Sequence, residues 1–276
     1  SSPQSSLPYA LRPFRAGRLR GLAHPQLVAF FAALPTRKPP TEECTLPVYR
    51  EHPNLVHARC LPQGLELPWS RVVLKRFGWR GVQHYLFSPL KLSRAMKAYR
   101  TACHLLAHGL RTPLPLGVCE ERRWGFVQYN MYATAALSEV ITLQQYCETM
   151  PDGPAGLEEV MQHVAAYARR MHDSGLWHRD LVSSNVLLTG TAAQRQVYVV
   201  DLNRARRVPY MPAILRAMDL ARLGWREHLP RFCALYSAEG FSATWLLWLM
   251  QLYGYWRAWR WHMRRVLRPV RKRLHL

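Results

Sequence analysis

Two stretches in the first third of the chain have the length and composition of β-strands. Residues 56–60 and 71–77 are short, rich in β-branched or apolar side chains, and separated by a segment that contains Gly64. This pattern predicts a β-hairpin whose second strand, Val72-Val73-Leu74, runs into Lys75.

Apolar residues at helical spacing come later. Residues 93–106 predict a helix with Ser93 as its N-cap, and the helix is expected to end at Gly109. Two strand-like runs follow, at residues 116–119 and 124–129. Residues 157–173 predict a second helix, with apolar side chains at Val160, Val164, Tyr167 and Met171. The order of strands, helix, strands and then helices indicates an α+β fold with two lobes joined near residue 130.

The first forty residues are rich in proline and arginine, which predicts an irregular extension with at most one short helix. The expected organisation is therefore an extension at residues 1–40, a small β-rich lobe at 41–130, a larger helical lobe at 131–256 and a basic amphipathic tail at 257–276.

The charge points to an anionic partner. Thirty-eight Lys and Arg residues against seventeen Asp and Glu give a formal net charge of +21. Nucleic acid, acidic lipid and phosphorylated glycan all fit such a charge, because a positive field raises the local concentration of each. The six cysteines form no metal-binding pattern, so we expect free thiols in a reducing compartment.

Neither a signal peptide nor a spanning helix is expected. The apolar residues 27–34 precede Pro35 and a basic stretch instead of a cleavage site. The best candidate for a span, residues 245–256, is interrupted by Gln251 and Gly254. These features predict a cytoplasmic protein.

The strongest motif begins at His178. His178-Arg179-Asp180 is followed by Asn185 at the spacing of the kinase catalytic loop H-R-D-x-x-x-x-N. A strand-like run at residues 197–200 then leads into Asp201, where a kinase has the aspartate of its D-F-G motif. A buried aspartate beside an arginine is often a structural ion pair, but these features in this order favour a kinase.

The residue types suit phosphoryl transfer from ATP. Asp180 is the predicted catalytic base, which orients the acceptor hydroxyl and takes its proton. Asn185 and Asp201 offer the oxygen ligands that Mg²⁺ prefers. Lys75 is the predicted lysine for the nucleotide phosphates, with Lys91 and Lys97 as nearby competitors.

The adenine site is predicted from the strand that follows the first helix. If this strand ends near Gln128, the backbone of Tyr129, Asn130 and Met131 forms the hinge that binds adenine.

Several stretches resemble the Kdo/heptose lipopolysaccharide kinases, together spanning about residues 55–225. They are residues 74–77, 93–95 and 111–116, the catalytic loop, 200–206 and 219–223. The resemblance implies a protein-kinase-like fold with a small β-rich lobe and a larger helical lobe, ATP and Mg²⁺ as cofactors, and transfer to a heptose or Kdo hydroxyl of lipopolysaccharide core. It also implies that Asp219 braces the catalytic loop beside His178 and Arg179.

Three features depart from protein kinases. The segment expected to cover the phosphates, residues 47–53 just upstream of Val56, contains no glycine. Residues 93–109 contain no glutamate to pair with Lys75, and Leu202 and Asn203 replace the phenylalanine and glycine of D-F-G. The third departure favours a constitutive small-substrate kinase, whereas the first two leave a membrane-associated pseudokinase as an alternative.

The C-terminal residues 257–276 carry eight Lys or Arg and no acid, with Trp259, Met263, Val266 and Val270 at helical spacing. One interpretation is an interfacial helix on an anionic membrane or glycolipid, which predicts a peripheral protein of the inner membrane acting on lipopolysaccharide core or another anionic glycolipid. The other is that residues 245–256 form a core helix and the tail is a solvated charged end. A kinase of a soluble small molecule or protein stays open, whereas no nucleic-acid motif supports RNA or DNA as the partner.

Overall fold

A computed structural model describes most of the chain and divides it into two compact units. The described residues are 7–34, 48–50, 54–61, 64–78, 87–191, 194–225, 227–237 and 242–273; at 48–50, 264 and 266–273 the description is limited to the backbone. Unit 1 comprises residues 1–141, 187–190 and 198–205, and unit 2 comprises 142–186, 191–197 and 206–276.

Unit 1 is built on a seven-stranded antiparallel sheet. Its strands are β1 (Arg12–Ala16), β2 (Leu19–Ala23), β3 (Val48–Arg50), β4 (Asn54–Cys60), β5 (Arg71–Phe77), β6 (Pro115–Arg123) and β7 (Phe126–Ala135). The spatial order is β1-β2-β6-β7-β5-β4-β3. The predicted hairpin is confirmed, since β4 pairs with β5 and places Val56 opposite Lys75.

The prediction of an irregular N-terminal extension is wrong. Strands β1 and β2 form a hairpin, and β2 pairs with β6 at the edge of the sheet. A short helix, α1 (Val28–Ala33), follows and buries Phe31. The prolines are compatible with this structure because Pro13 lies on the outermost strand, where a missing N–H disturbs no ladder, and Pro25 begins a 3₁₀ turn.

The first predicted helix is confirmed as α2 (Arg94–Ala107), and the Ser93 hydroxyl accepts a hydrogen bond from the Met96 amide as an N-cap does. The expectation that the following strand pair ends near Gln128 is wrong. Strand β7 continues to Ala135, paired with β6 on one side and with β5 on the other.

Five short strands follow along the chain. They are β8 (Ile141–Thr142), β9 (Leu176–Trp177), β10 (Val186–Thr189), β11 (Gln196–Val199) and β12 (Arg206–Arg207). Strands β8, β10 and β11 lie where the chain passes between the units, with β10 directly after the catalytic loop and β11 shortly before Asp201.

Unit 2 is largely helical. Its helices are α3 (Leu143–Thr149), α4 (Gly153–Asp173), α5 (Ala213–Leu220), α6 (Leu229–Tyr236) and α7 (Ala243–Arg273). Helix α4 contains the predicted helix of residues 157–173 and buries Val160, Val164 and Met171. Strands β9 and β12 pair after it. Gly175 has a φ of +75°, and a Cβ there would lie 2.6 Å from the Val208 carbonyl, so the turn requires glycine.

Helix α7 is one continuous helix of 31 residues, so the predicted boundary at residue 257 lies within it. Val266 and Val270 of the predicted amphipathic pattern have side chains outside the described residues. Within the part of the chain that the structure describes, no helix combines the length and the apolar content needed to cross a bilayer.

Candidate active site

The catalytic loop lies in unit 2 between β9 and β10. His178 is fully buried, and its Nδ1 accepts a hydrogen bond of 3.2 Å from the Asp180 amide. Arg179 has a φ of +67°, in the left-handed region that non-glycine residues seldom adopt. A backbone strained at this point is held by its surroundings, which is typical of functional loops.

A buried carboxylate from α5 holds the loop. Asp219 accepts hydrogen bonds of 2.7 Å from the His178 amide and 2.8 Å from the Arg179 amide, and it is 0% exposed. These are the contacts that the family resemblance implied. His172 of α4 lies 3.5 Å from the same carboxylate and is hydrogen-bonded through its Nδ1 to the Tyr236 hydroxyl at 2.7 Å. Burial raises the pKa of Tyr236 to about 12, so this hydroxyl remains protonated at neutral pH.

The predicted base, Asp180, is partly exposed and faces a guanidinium. Arg222 Nη1 lies 3.2 Å from Asp180 Oδ1 and donates a hydrogen bond of 2.7 Å to the Arg179 carbonyl. Its Nη2 donates to the Tyr253 hydroxyl of α7 at 3.1 Å. Since a guanidinium offers its donors in a rigid, planar arrangement, Arg222 fixes the orientation of the Asp180 carboxylate.

Asn185, the predicted metal ligand of this unit, has a fixed amide group. Its Nδ2 donates to the backbone carbonyl of Asp180 at 2.9 Å, five residues earlier. Because the nitrogen is directed at that carbonyl, the amide oxygen is the atom suited to a metal ion.

The other two predicted residues meet in unit 1. Lys75 Nζ donates to Asp201 Oδ1 at 2.7 Å, and the two side chains are 17% and 14% exposed. Asp201 is the second non-glycine residue of the predicted site in the left-handed region, with a φ of +62°. The absence of a glutamate between residues 93 and 109 is thus compensated by Asp201, which provides the acid for Lys75.

Neighbouring polar groups anchor the segment around Asp201. Asn203 Nδ2 donates to Asp201 Oδ1, and Asn203 Oδ1 accepts from the Arg94 guanidinium at the start of α2. Two residues before Asp201, the Val199 carbonyl accepts a hydrogen bond of 2.8 Å from the Thr112 hydroxyl. Asn203, which replaces the D-F-G glycine, therefore has a structural role in positioning Asp201.

The predicted adenine hinge falls within strand β7. Tyr129, Asn130 and Met131 lie opposite Glu121, Glu120 and Cys119 of β6, and all three side chains are buried. Asn130 Oδ1 accepts from the Ala95 amide at the start of α2. Burial raises the pKa of Tyr129 above its ordinary value. Since the strand ends at Ala135, these residues do not lie at a strand end, where a hinge was expected.

Part of the segment expected to cover the phosphates, residues 48–50, forms strand β3. Residues 51–53, which connect β3 and β4, lie outside the described residues.

Sequence reasoning missed four contributors to these contacts. Arg222 was noted as part of a family stretch, but no role was assigned to it, and Tyr253, Arg94 and Asn203 were likewise given no function in positioning. The only local signal for Arg222 was its spacing of three residues from Asp219, which places Arg222 just after the end of α5 and close to Asp219.

The predicted residues thus form two groups. Lys75, Asp201 and the predicted hinge residues Tyr129, Asn130 and Met131 belong to unit 1. Those of unit 2 are Asp180, Asn185, His178, Arg179 and Asp219.

Known proteins share this sequence pattern. The model of the lipopolysaccharide kinase (Kdo/WaaP) family matches residues 73–240, which is more than half of the chain. A 3-deoxy-D-manno-octulosonic acid kinase of Mannheimia succiniciproducens is 26% identical over 125 residues, covering 45% of this chain and 50% of the relative. A protein of the same description from Photobacterium damsela is 27% identical over 147 residues, covering 53% and 58%.

A third relative, the lipopolysaccharide core heptose(I) kinase WaaP of Escherichia coli K12, is 28% identical over 130 residues, covering 44% and 49%. The chain therefore spans about half the length of the curated relatives it matches. A solved structure described as WaaP in complex with acyl carrier protein superimposes with a TM-score of 0.54 at 21% identity, over 75% of this chain and 87% of that one.

This similarity confirms the predicted α+β protein-kinase-like fold. The family match covers the segment from β5 to α6, including every predicted site residue. The chain belongs to the lipopolysaccharide kinase (Kdo/WaaP) family.

Proposed function

We propose that this protein is an ATP-dependent kinase that phosphorylates a sugar hydroxyl of lipopolysaccharide core, or of another anionic glycolipid, at the cytoplasmic face of the inner membrane. The observation that carries the proposal is the catalytic loop. Asp219 holds two of its amides, and Arg222 is directed at the partly exposed carboxylate of Asp180.

In this proposal Asp180 acts on the acceptor. Its carboxylate accepts a hydrogen bond from the sugar hydroxyl, aligns the oxygen with the γ-phosphate and takes the proton as the new P–O bond forms. Arg222 holds the carboxylate in one orientation until that step, since a charge-assisted hydrogen bond resists rotation of the group.

Lys75 is proposed to bind the nucleotide phosphates, in exchange for its contact with Asp201. Asn185 and Asp201 are proposed to hold Mg²⁺, and both end in the oxygen atoms that this ion prefers. When bound, the ion neutralises charge that develops on the phosphate oxygens.

The adenine contacts are reassigned in the proposal. Tyr129, Asn130 and Met131 remain candidates from the sequence, but a hinge is expected where the strand ends. Since β7 ends at Ala135 and unit 2 begins at residue 142, the backbone of residues 136–140 is the stronger candidate.

The acceptor is proposed from the relatives. Their names give two sugars, 3-deoxy-D-manno-octulosonic acid and the first heptose of the core, and either is a candidate here. Both belong to a lipid-anchored glycan, which fits a peripheral position on the membrane and a net charge of +21. The structural neighbour is in complex with acyl carrier protein, which makes that protein a candidate partner as well.

The test is transfer of label from γ-labelled ATP, with Mg²⁺, to purified dephosphorylated lipopolysaccharide core. Asp180→Asn should reduce the transfer rate by about 10²–10⁴-fold, the range for loss of a general base. Glu148→Gln, which changes an exposed carboxylate of α3 in the same unit, is the matched control and should retain the rate.

Nucleotide binding is measured separately by calorimetry. Lys75→Met should weaken ATP binding about 10-fold or more, because a charge-assisted contact to phosphate is lost. Lys91→Met, at an exposed competitor position, should not. ATP binding without transfer to any glycan would favour a pseudokinase, and transfer to a soluble small molecule or protein alone would favour that alternative; both outcomes contradict the proposal.

A further inference from the structure

Helix α7 presents two different faces over its first half. One face packs into unit 2, where it contacts α5 and α6. Its buried side chains are Leu246, Leu249, Met250 and Tyr253, each at most 7% exposed. This face accounts for the attachment of the helix to the unit.

The second face is aromatic and exposed. Its positions recur every three or four residues, which aligns them on one stripe of the helix. They are Trp245 (52% exposed), Trp248 (51%), Leu252 (48%), Tyr255 (77%), Trp256 (44%) and Trp259 (60%). The rings of Trp245 and Trp248 stack with centroids 5.0 Å apart. A contiguous apolar stripe of this length on a protein surface marks an interaction site.

The second half of the same helix is strongly basic. Residues 257–273 contain eight Lys or Arg and no Asp or Glu. Several guanidinium groups lie over aromatic rings of the helix, including Arg260 over Trp256 at 5.1 Å and Arg265 over Trp261 at 5.5 Å. Aromatic surface and positive charge therefore lie side by side, instead of in separate regions.

We propose that the aromatic stripe of α7 inserts into the headgroup region of an anionic lipid bilayer, with the helix lying along the surface and its arginines on lipid phosphates. Tryptophan favours the boundary between headgroups and acyl chains, and arginine favours anionic lipid. The inference deepens and rests on the proposed function, because it gives the enzyme a surface for the membrane that carries a lipid-anchored substrate.

Charge decides against two other occupants. A second copy of the helix would supply no anionic partner for the eight positive charges of residues 257–273. The phosphates of a nucleic acid would pair with the arginines. A nucleic acid would, however, leave the apolar stripe around half-exposed Leu252 without an apolar partner. A bilayer satisfies both the apolar and the basic parts.

The experiment is sedimentation of the full chain with vesicles, without nucleotide. Vesicles made of equal parts of phosphatidylglycerol and phosphatidylcholine are compared with vesicles of phosphatidylcholine alone. Trp248→Ser combined with Trp259→Ser should weaken binding to the anionic vesicles by about 10-fold or more. Trp124→Ser, which removes an 81% exposed tryptophan from the β6–β7 turn, is the matched control and should bind like the parent.

The charges are tested in parallel. Arg260→Gln combined with Arg265→Gln should weaken binding to anionic vesicles by about fivefold for each charge and reduce its salt dependence. Arg12→Gln combined with Arg18→Gln removes two exposed charges from the first hairpin and should have a smaller effect. Circular dichroism of each variant confirms that the helix content is retained.

Any of the following results would overturn the inference. They are failure of the parent to bind anionic vesicles, equal binding by the tryptophan pair and its control, and a dimer in dilute solution that the tryptophan substitutions dissociate. Loss of acyl carrier protein binding together with unchanged vesicle binding would assign the stripe to a protein partner and also overturn it. The vesicle assay contains no nucleotide, so its result does not depend on phosphate transfer. If the chain binds vesicles but transfers no phosphate, the proposed function is contradicted and the inference about the stripe is not.

Discussion

The buried carboxylate of Asp219 offers a sharp test of how the catalytic loop is held. In Asp219→Asn the side chain keeps its shape but exchanges one oxygen for an NH₂ group. The remaining oxygen can accept from one of the two loop amides, at His178 or Arg179, while the NH₂ group faces the other amide, donor against donor.

The magnitude follows from these two contacts. A hydrogen bond to a charged group contributes about 1.5–3 kcal/mol, and an unsatisfied buried donor costs about 1–3 kcal/mol. One contact is lost and the other becomes a neutral one, so the free energy of unfolding should fall by about 2–4 kcal/mol. The transfer rate should fall as well, because the left-handed Arg179 and the adjoining Asp180 lose their support.

The assay is urea denaturation followed by circular dichroism, and the control is Asp173→Asn. Asp173 has a 51% exposed side chain and pairs with Arg216 at 2.7 Å, a surface contact worth about 1 kcal/mol or less. If the two substitutions lower the free energy of unfolding equally, Asp219 does not hold the loop through these hydrogen bonds.

Two further predictions concern groups away from the reacting atoms. Tyr253→Phe removes the hydroxyl that accepts from Arg222, so kcat should fall by about fivefold while the KM for ATP stays unchanged. The control is Tyr210→Phe, at a 78% exposed position of the same unit, which should leave both constants unchanged. A change in the KM for ATP with kcat unchanged, or no effect at all, would contradict the positioning role of Arg222. Burial, with a contribution from Arg59, lowers the pKa of His57, so the folded state takes up a proton less readily than the unfolded state. The free energy of unfolding should therefore decrease as the pH falls below the ordinary histidine value of about 6.5. In His57→Gln this decrease should be smaller, as measured by urea denaturation at pH values on either side of about 6.5. If the pH dependence of the free energy of unfolding is the same in the variant and the parent, the prediction is wrong.

Local signals were sufficient for elements whose ends are marked by specific residues. The hairpin of β4 and β5 and the helix α2 were predicted because alternation, a turn glycine and the Ser93 cap are encoded next to the elements themselves. The Lys75–Asp201 contact was not predictable in this way, since it joins residues 126 positions apart. Only the kinase motif linked the two, by their expected function.

The errors came from features whose meaning depends on distant partners. Pro13 signals irregular structure locally, but it is compatible with an edge strand once β2 pairs with β6. The strand was expected to end near Gln128, before Asn130, yet Asn130 lies within β7 and its side chain accepts from the Ala95 amide of α2. In both cases a long-range hydrogen bond decides the structure, and the sequence around the residue carries no record of it.

Helix α7 links the proposed base to the proposed lipid-binding surface. Tyr253, on its buried face, accepts from the same Arg222 guanidinium that faces Asp180, so the helix contributes directly to the support of the proposed base. The exposed face of the same helix carries the stripe proposed to lie on lipid. Both roles depend on a rigid element, because a helix that frayed at Tyr253 would release Arg222 and misplace the aromatic stripe together. Tyr253→Phe should therefore reduce transfer without reducing vesicle binding, whereas disruption of the helix around this residue should reduce both.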